Sequence, residues 1–190
     1  MGLTPILQTF ASACKRYGPG RLPRADRRDV GAGYASASAA LGITVTFALG
    51  TFGLFRLGVW TDIIHPLWGW SALVALPFVV PAAFLVGTGI WRLLPDRVPF
   101  FGAVAGSITA ALTYVVSLAF VFLVLLAVSV VSGTGPGTGT VEELLYGTAA
   151  LTAIIGFFAA LLSAWLTIPV GCVNGAIYER ARTVRADSAR

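Results

Sequence analysis

Four long apolar stretches constrain the fold of this chain more than any other feature. They cover residues 34–55, 67–94, 99–131 and 141–177. A helix of about 20 residues crosses the hydrocarbon core of a bilayer, so each stretch is long enough to do so. The chain is 57% hydrophobic and only 11% charged, more apolar than a soluble domain of 190 residues can bury. This composition excludes an ordinary soluble enzyme, a disulfide-stabilised secreted domain and a disordered chain.

Helices, rather than β-strands, are predicted for the four spans. A transmembrane barrel needs segments of about 10 residues in which apolar and polar side chains alternate. The stretch 118–126 is apolar without alternation, and so are the other spans. Because the connections between the spans are short, we expect an all-α polytopic integral membrane protein with four transmembrane helices in an up-down bundle.

The basic residues are gathered on one side of these spans. Twelve of the thirteen lysines and arginines lie in the first 33 residues, around the turn after the second span, or beyond the fourth span. The opposite side carries Arg56 as its one basic residue, with Asp62, Glu142 and Glu143. The positive-inside rule therefore predicts a multi-pass protein of a cell, viral or internal membrane, with both termini in the cytoplasm.

This orientation divides the chain into three parts. Residues 1–33 form a cytoplasmic segment, residues 34–178 the four-helix transmembrane domain, and residues 179–190 a basic cytoplasmic tail. Leucine, isoleucine and phenylalanine recur with helical spacing within residues 3–10, which predicts a short amphipathic helix that lies on the membrane or docks on the bundle. Beside an apolar span, basic side chains bind anionic lipid headgroups rather than nucleic acid. The predicted headgroup contacts are Arg21, Arg24, Arg27 and Arg28.

Residues that carry catalysis or bind metals are scarce in the sequence. His65 is the only histidine, and with Asp62 it supplies two ligands, too few for a closed zinc site. Ser71 lacks the glycine that closes a nucleophile elbow. Ionisable residues within spans usually mark ion relays, and the one basic residue near a span on the side opposite the basic tails is Arg56. We therefore predict no enzymatic activity, no cofactor and no metal.

Helix-breaking residues interrupt the second and fourth spans. Pro77 and Pro81 lie four residues apart in one, and Pro169 lies in the other. Prolines free backbone carbonyls, which either line a substrate path or simply shape helix packing. When Pro81 is aligned with Pro169, Gly87 meets Gly175 and Arg92 meets Arg180. This match raises a parallel duplication of two hairpins as an alternative to chance.

Small residues recur every four positions on the last two spans. This spacing places them on one helix face and lets two backbones approach closely. Such a face serves packing inside the chain or contact with a partner. The candidate residues are Gly102, Gly106 and Ala110 on the third span, and Gly156, Ala160 and Ala164 on the fourth.

Two further patterns concern the helix ends. Thr140 and Glu143 have the spacing of a capping box, so the fourth helix is predicted to begin at Val141 after a glycine-rich connector. Aromatic residues mark the predicted interfaces, with Trp68 and Trp70 on the outer edge and Trp91 and Tyr178 on the inner edge.

These observations favour a non-catalytic integral membrane protein, most simply a structural, scaffolding or accessory subunit of a larger membrane assembly. Its partners would be the bilayer and either another membrane protein or further copies of itself. The alternative is a small oligomeric transporter or channel component, with a path lined by hydroxyl groups and proline-kinked helices. The composition identifies neither a substrate nor a partner.

Overall fold

The computed structural model describes residues 22–59, 65–95, 100–133, 135–136 and 139–188, with side chains as far as Thr183. This part of the chain forms four helices: α1 (Arg28–Arg56), α2 (Pro66–Leu93), α3 (Phe101–Ser132) and α4 (Val141–Ser188). All four are long and apolar enough to cross a membrane. The prediction of an all-helical chain with four long apolar helices is therefore confirmed. The amphipathic helix predicted within residues 3–10 lies outside the described residues.

The helix boundaries differ most from the prediction where charged residues continue a helix beyond its apolar part. α1 begins at Arg28, six residues before the predicted span, and α4 continues through the basic tail to Ser188. α3 begins at Phe101, two residues after the predicted start, because Phe100 has a left-handed backbone conformation that a right-handed helix cannot include. Hydropathy locates the apolar part of a helix, whereas the hydrogen-bond ladder continues past it.

The helices form two antiparallel hairpins, α1–α2 and α3–α4. The most extensive contacts lie within each hairpin, α2–α3 contacts are fewer, and α1–α4 contacts are the least extensive of these four pairings. We call the end of the bundle that holds Arg28, Trp91, Phe101 and Tyr178 the basic end, and the opposite end, where Gly133 ends α3, the loop end.

Glycines bring α3 and α4 into backbone contact near the basic end. A methyl group added to Gly106 would meet the carbonyl oxygen of Gly171, and one added to Gly175 would meet the carbonyl oxygen of Gly102. Both pairs therefore require glycine, since the side chain of any larger residue would push the helices apart. Close approach of this kind increases van der Waals contact along the whole hairpin.

The α1–α2 hairpin has a related but looser contact. Gly87 on α2 lies against Gly33 and Ser36 on α1, so here a glycine meets a hydroxyl side chain as well as a backbone. In both hairpins the contact is made by a glycine six residues after a proline, namely Gly87 after Pro81 and Gly175 after Pro169. The two glycines aligned by sequence thus occupy corresponding positions in their hairpins.

Side-chain caps fix three of the helix starts. Thr140 and Glu143 exchange hydrogen bonds with each other's backbone N–H, both at 3.1 Å, which confirms the predicted capping box. His65 Nδ1 accepts a hydrogen bond from the N–H of Leu67 at the start of α2. The N–H of Gly102 at the start of α3 donates to Glu179 Oε2 at 2.6 Å, so α4 caps α3.

Candidate functional site

A cavity of about 520 Å³ lies between the two hairpins and is lined by all four helices. Along α1 the lining runs from Ala32 to Phe47, a length of about 22 Å at 1.5 Å per residue. Most of the lining side chains are apolar, and they include Ile43, Val79 and Leu118. Cavities that bind small organic ligands typically measure about 300–1,000 Å³ and have a similar lining. The volume and composition therefore suit an elongated apolar ligand.

Three hydroxyl groups form a cluster on the α3–α4 wall of this cavity. The Tyr114 hydroxyl lies 2.7 Å from Ser163 Oγ and 2.6 Å from Thr167 Oγ1. Ser163 also donates to the carbonyl of Ala159, and Thr167 to the carbonyl of Ser163. We call Tyr114, Ser163 and Thr167 the hydroxyl cluster. It is the most concentrated hydrogen-bonding chemistry among the described cavity-lining residues.

Thr109 lies on the same wall and differs from its neighbours. Its side chain is 3% exposed, and Thr109 Oγ1 has no hydrogen-bond partner among the described residues. By contrast, Thr113 and Ser117 each donate to the backbone carbonyl four residues earlier. Two further threonines that do not line the cavity, Thr88 and Thr148, also have a buried hydroxyl without a partner in the described part of the chain, so the orphan hydroxyl does not by itself mark a ligand site. Asn174, farther toward the basic end, also lines the cavity.

Aromatic side chains close the basic end of the cavity. Trp91 is 2% exposed and meets both Phe101 and Tyr178 edge to face, with ring centroids 4.9 Å apart in each case. The Arg28 guanidinium lies 4.7 Å from the centroid of Phe101, and Tyr178 donates a hydrogen bond to the Arg28 carbonyl. We call Arg28, Trp91, Phe101 and Tyr178 the aromatic plug. It joins all four helices at this end.

The predicted small-residue faces lie at different places in the bundle. Gly102 and Gly106 pack on α4, Ala110 contacts Gly171, and Gly156 contacts Leu118 on α3. Ala160 and Ala164 are half-buried. The structure thus places four of these six residues in the contact between α3 and α4.

The prolines lie on the outer surface of the bundle. Pro77, Pro81 and Pro169 are all exposed, and α2 and α4 continue as helices through them. They are not among the residues that line the cavity. The polar part of the wall therefore comes from hydroxyl side chains and not from carbonyls freed by proline.

The arginines predicted to contact lipid headgroups differ in their exposure. Arg24 and Arg27 are exposed, and Arg27 lies 3.4 Å from the Asp29 carboxylate. Arg28 is half-buried in the aromatic plug, so its guanidinium faces rings of the bundle. Arg21 lies outside the described residues. Headgroup contact stays a prediction for all four arginines.

No three His, Cys, Asp or Glu side chains among the described residues are placed to hold a metal ion. His65 caps α2, while Asp62 lies outside the described residues. Cys172 is a free thiol on α4. Among the described residues, His65 and Cys172 therefore do not belong to a metal site.

The outer face of α4 carries an exposed aromatic ridge. Trp165 is 71% exposed, and Leu161 and Phe157 lie four and eight residues before it on the same helix face. The Trp165 indole N–H donates to the carbonyl of Leu162. Trp165 is about 20 Å along the axis from Tyr178, at 1.5 Å per residue, and so lies in the middle of the bundle. We call Phe157, Leu161 and Trp165 the α4 ridge.

Sequence reasoning missed the hydroxyl cluster, the α3 cap from Glu179 and the α4 ridge. Tyrosine and tryptophan favour the two ends of a membrane span. Tyr114 and Trp165 instead lie in the middle of long apolar runs, which is the signal that could have identified them. The pairing of Tyr114 with α4 has no sequence signal, because it depends on the offset between two helices.

A scan against models of protein families, a search of curated proteins and a search of solved structures gave no match to this chain.

Proposed function

We propose that this protein is a non-catalytic, multi-pass membrane protein that acts as an accessory or structural subunit of a larger membrane assembly. The α4 ridge is the observation that carries the proposal. Its partner is the apolar transmembrane helix of another membrane protein.

The position of the ridge supports a protein partner rather than lipid alone. On α2, Trp70 and Trp91 mark two levels about 31 Å apart at 1.5 Å per residue, close to the thickness of a hydrocarbon core. Trp165 lies between these levels, where tryptophan gains none of the polar contacts available at a membrane interface. Tryptophan is, however, enriched at the centre of protein interfaces.

The proposal includes an orientation with both tails in the cytoplasm. Arg92, Arg180 and Arg182 lie at the basic end, and Glu142 and Glu143 begin α4 at the loop end. This distribution supports the orientation through the positive-inside rule. In this orientation α3, with 32 residues, is about 48 Å long at 1.5 Å per residue and must tilt or project beyond the core.

Purification in a mild detergent tests the proposed role. We expect the native chain to elute in a complex with another membrane protein, and Trp165→Leu to release that partner. Trp70→Leu is the matched control, because Trp70 is also exposed but lies near the end of its helix. A native chain that elutes as a monomer, or an equal loss of partner in both variants, would contradict the proposal.

Cysteine labelling tests the orientation separately. A single cysteine replacing Gly135 in the α3–α4 connector should react with a membrane-impermeant reagent added outside intact cells. Cys14 and Cys172, the two cysteines of the sequence, are replaced by serine in the same chain so that their thiols do not contribute. Labelling from the cytoplasmic side alone would reverse the orientation.

The cavity favours a second candidate function, a small oligomeric transporter component. Its wall carries hydroxyl groups, including those of Ser36, Thr44, Thr113 and Thr167. The aromatic plug opposes a continuous path in this conformation, because it closes the cavity at the basic end. A purified homo-oligomer without another protein would favour this candidate over the accessory subunit.

A further inference from the structure

We propose that the cavity between the two hairpins binds a long-chain apolar molecule that carries a hydroxyl group, and that the hydroxyl cluster accepts the hydrogen bond from that group. This inference does not depend on the accessory role. Ser163 and Thr167 each lie two residues from Trp165, or about 200° around the helix, so the cluster and the α4 ridge occupy opposite faces of α4.

The shape of the cavity matches one extended hydrocarbon chain. The cavity measures about 520 Å³ and extends along α1 from Ala32 to Phe47, about 22 Å at 1.5 Å per residue. Most of its lining side chains are apolar, as a hydrocarbon chain requires.

The protons of the hydroxyl cluster determine which polar group fits. Each hydroxyl has one proton to donate and two lone pairs that accept. The three hydroxyl protons serve four short contacts, two within the cluster and two to backbone carbonyls of α4, so every proton already has an acceptor. The cluster therefore has free lone pairs but no free proton. It accepts a hydrogen bond from an alcohol and has none to donate to an ether.

A ligand has a route into the cavity from the side. Three lining residues on the loop-end half of α4, Ile154, Ile155 and Phe158, are also 40–55% exposed. The cavity therefore reaches the outer surface along this helix. The apolar surface there gives a molecule dissolved in the bilayer direct access, whereas the aromatic plug closes the other end.

Photolabelling of the full chain in phosphatidylcholine vesicles tests the proposal. Phosphatidylcholine is a suitable host because its headgroup has no hydrogen-bond donor to compete. The probe is hexadecanol with a photoreactive diazirine in mid-chain, and labelled residues are located by mass spectrometry. We expect labels on cavity-lining residues of α3 and α4. Labels confined to outward-facing residues such as those of the α4 ridge would overturn the proposal.

Competition then tests the role of the hydroxyl group. Unlabelled hexadecanol should displace the probe at a concentration about three- to tenfold lower than hexadecyl methyl ether, the range that one net hydrogen bond gives. Hexadecane should compete no better than the ether. Equal competition by alcohol and ether would mean that the cavity accepts any chain, such as an ordinary lipid tail, and would overturn the assignment.

A pair of tyrosine variants assigns the effect to the cluster. Tyr114→Phe should remove most of the preference for alcohol over ether, whereas Tyr146→Phe, at an exposed tyrosine near the start of α4, should keep it. Ser163→Ala is the second variant if Tyr114→Phe does not fold. Retention of the full preference in both folded cluster variants would contradict the assignment.

Discussion

The four helices are tightly packed at the basic end of the bundle and loosely packed toward the loop end. At the basic end, the aromatic plug joins α1, α2, α3 and α4, and Trp91 and Ala105 are almost completely buried. Toward the loop end the hairpins enclose a cavity of about 520 Å³, and side chains that line it reach the surface. The comparison teaches that the fold is fixed at one end, which leaves the other free to admit a molecule.

The strongest test of the comparison is the removal of the central ring of the plug. Trp91→Ala should lower the free energy of unfolding by about 3–5 kcal/mol, the usual cost of deleting a buried large aromatic side chain. Unfolding of the purified chain by denaturant in mixed micelles measures this change. Trp70→Ala, at an exposed ring, should cost about 1 kcal/mol. Equal losses of unfolding free energy in the two variants would show that the aromatic plug does not hold the four helices together at the basic end.

The backbone contact between α3 and α4 provides the next test. Gly106→Leu inserts a side chain against the Gly171 carbonyl and should destabilise the monomer by about 1–3 kcal/mol. Gly50→Leu is the matched control, because nothing lies within 4 Å of a side chain added there. The melting temperatures of both purified monomers give the answer. Gly106→Leu with native stability and a lost partner would place this face in an assembly instead.

A matched pair of alanines compares packed and open regions directly. Ala105 is 0% exposed in the core beside the plug, whereas Ala159 lines the cavity and is half-buried. Ala105→Leu should cost about 1–3 kcal/mol through overpacking, and Ala159→Leu less than about 1 kcal/mol because it fills empty space. Thermal unfolding measures both. If Ala159→Leu is as costly as Ala105→Leu, the cavity half is as tightly packed as the basic end.

Substitutions at two neighbouring arginines should give the smallest difference in the free energy of unfolding. Arg28 lies over the rings of Phe101 and Trp91, whereas Arg27 is exposed beside Asp29. Arg28→Gln should cost about 1–2 kcal/mol, since cation–π contacts strengthen with desolvation. Arg27→Gln should cost about 0–1 kcal/mol, as is typical of an exposed ion pair. The test is a denaturant titration at low and at high salt, where the Arg27→Gln difference should shrink.

Much of the fold was predictable because it follows from local patterns. Apolar length identified the four helices, and the Thr140–Glu143 spacing identified the start of α4. The hydroxyls of Thr44, Thr113 and Ser163 donate to their own helix backbone, as expected of hydroxyl side chains in helices. The spans are read from continuous apolar stretches of about 20 residues, and the caps and hydroxyl contacts from residues within about one helical turn.

Positions that depend on several helices were predicted less well. Trp91 has the sequence position of an interface residue, but its ring lies inside the bundle against Phe101 and Tyr178. Arg28 has the position of a headgroup contact, but its guanidinium lies on the same rings. Position along a helix indicates depth, whereas the direction around the axis is decided by the neighbouring helices.

The sequence by itself determined the all-helical fold, the number of long apolar helices, the cap of α4 and the uneven distribution of charge. Hydropathy and capping act over a few neighbouring residues, so they can be read without knowledge of the rest of the chain. Only the tertiary structure decided that Gly102 and Gly106 meet α4, that Tyr114 meets Ser163 and Thr167, and that the hairpins part around a cavity. These contacts join residues about 50–75 positions apart, and the relative offset and rotation of packed helices fixes them.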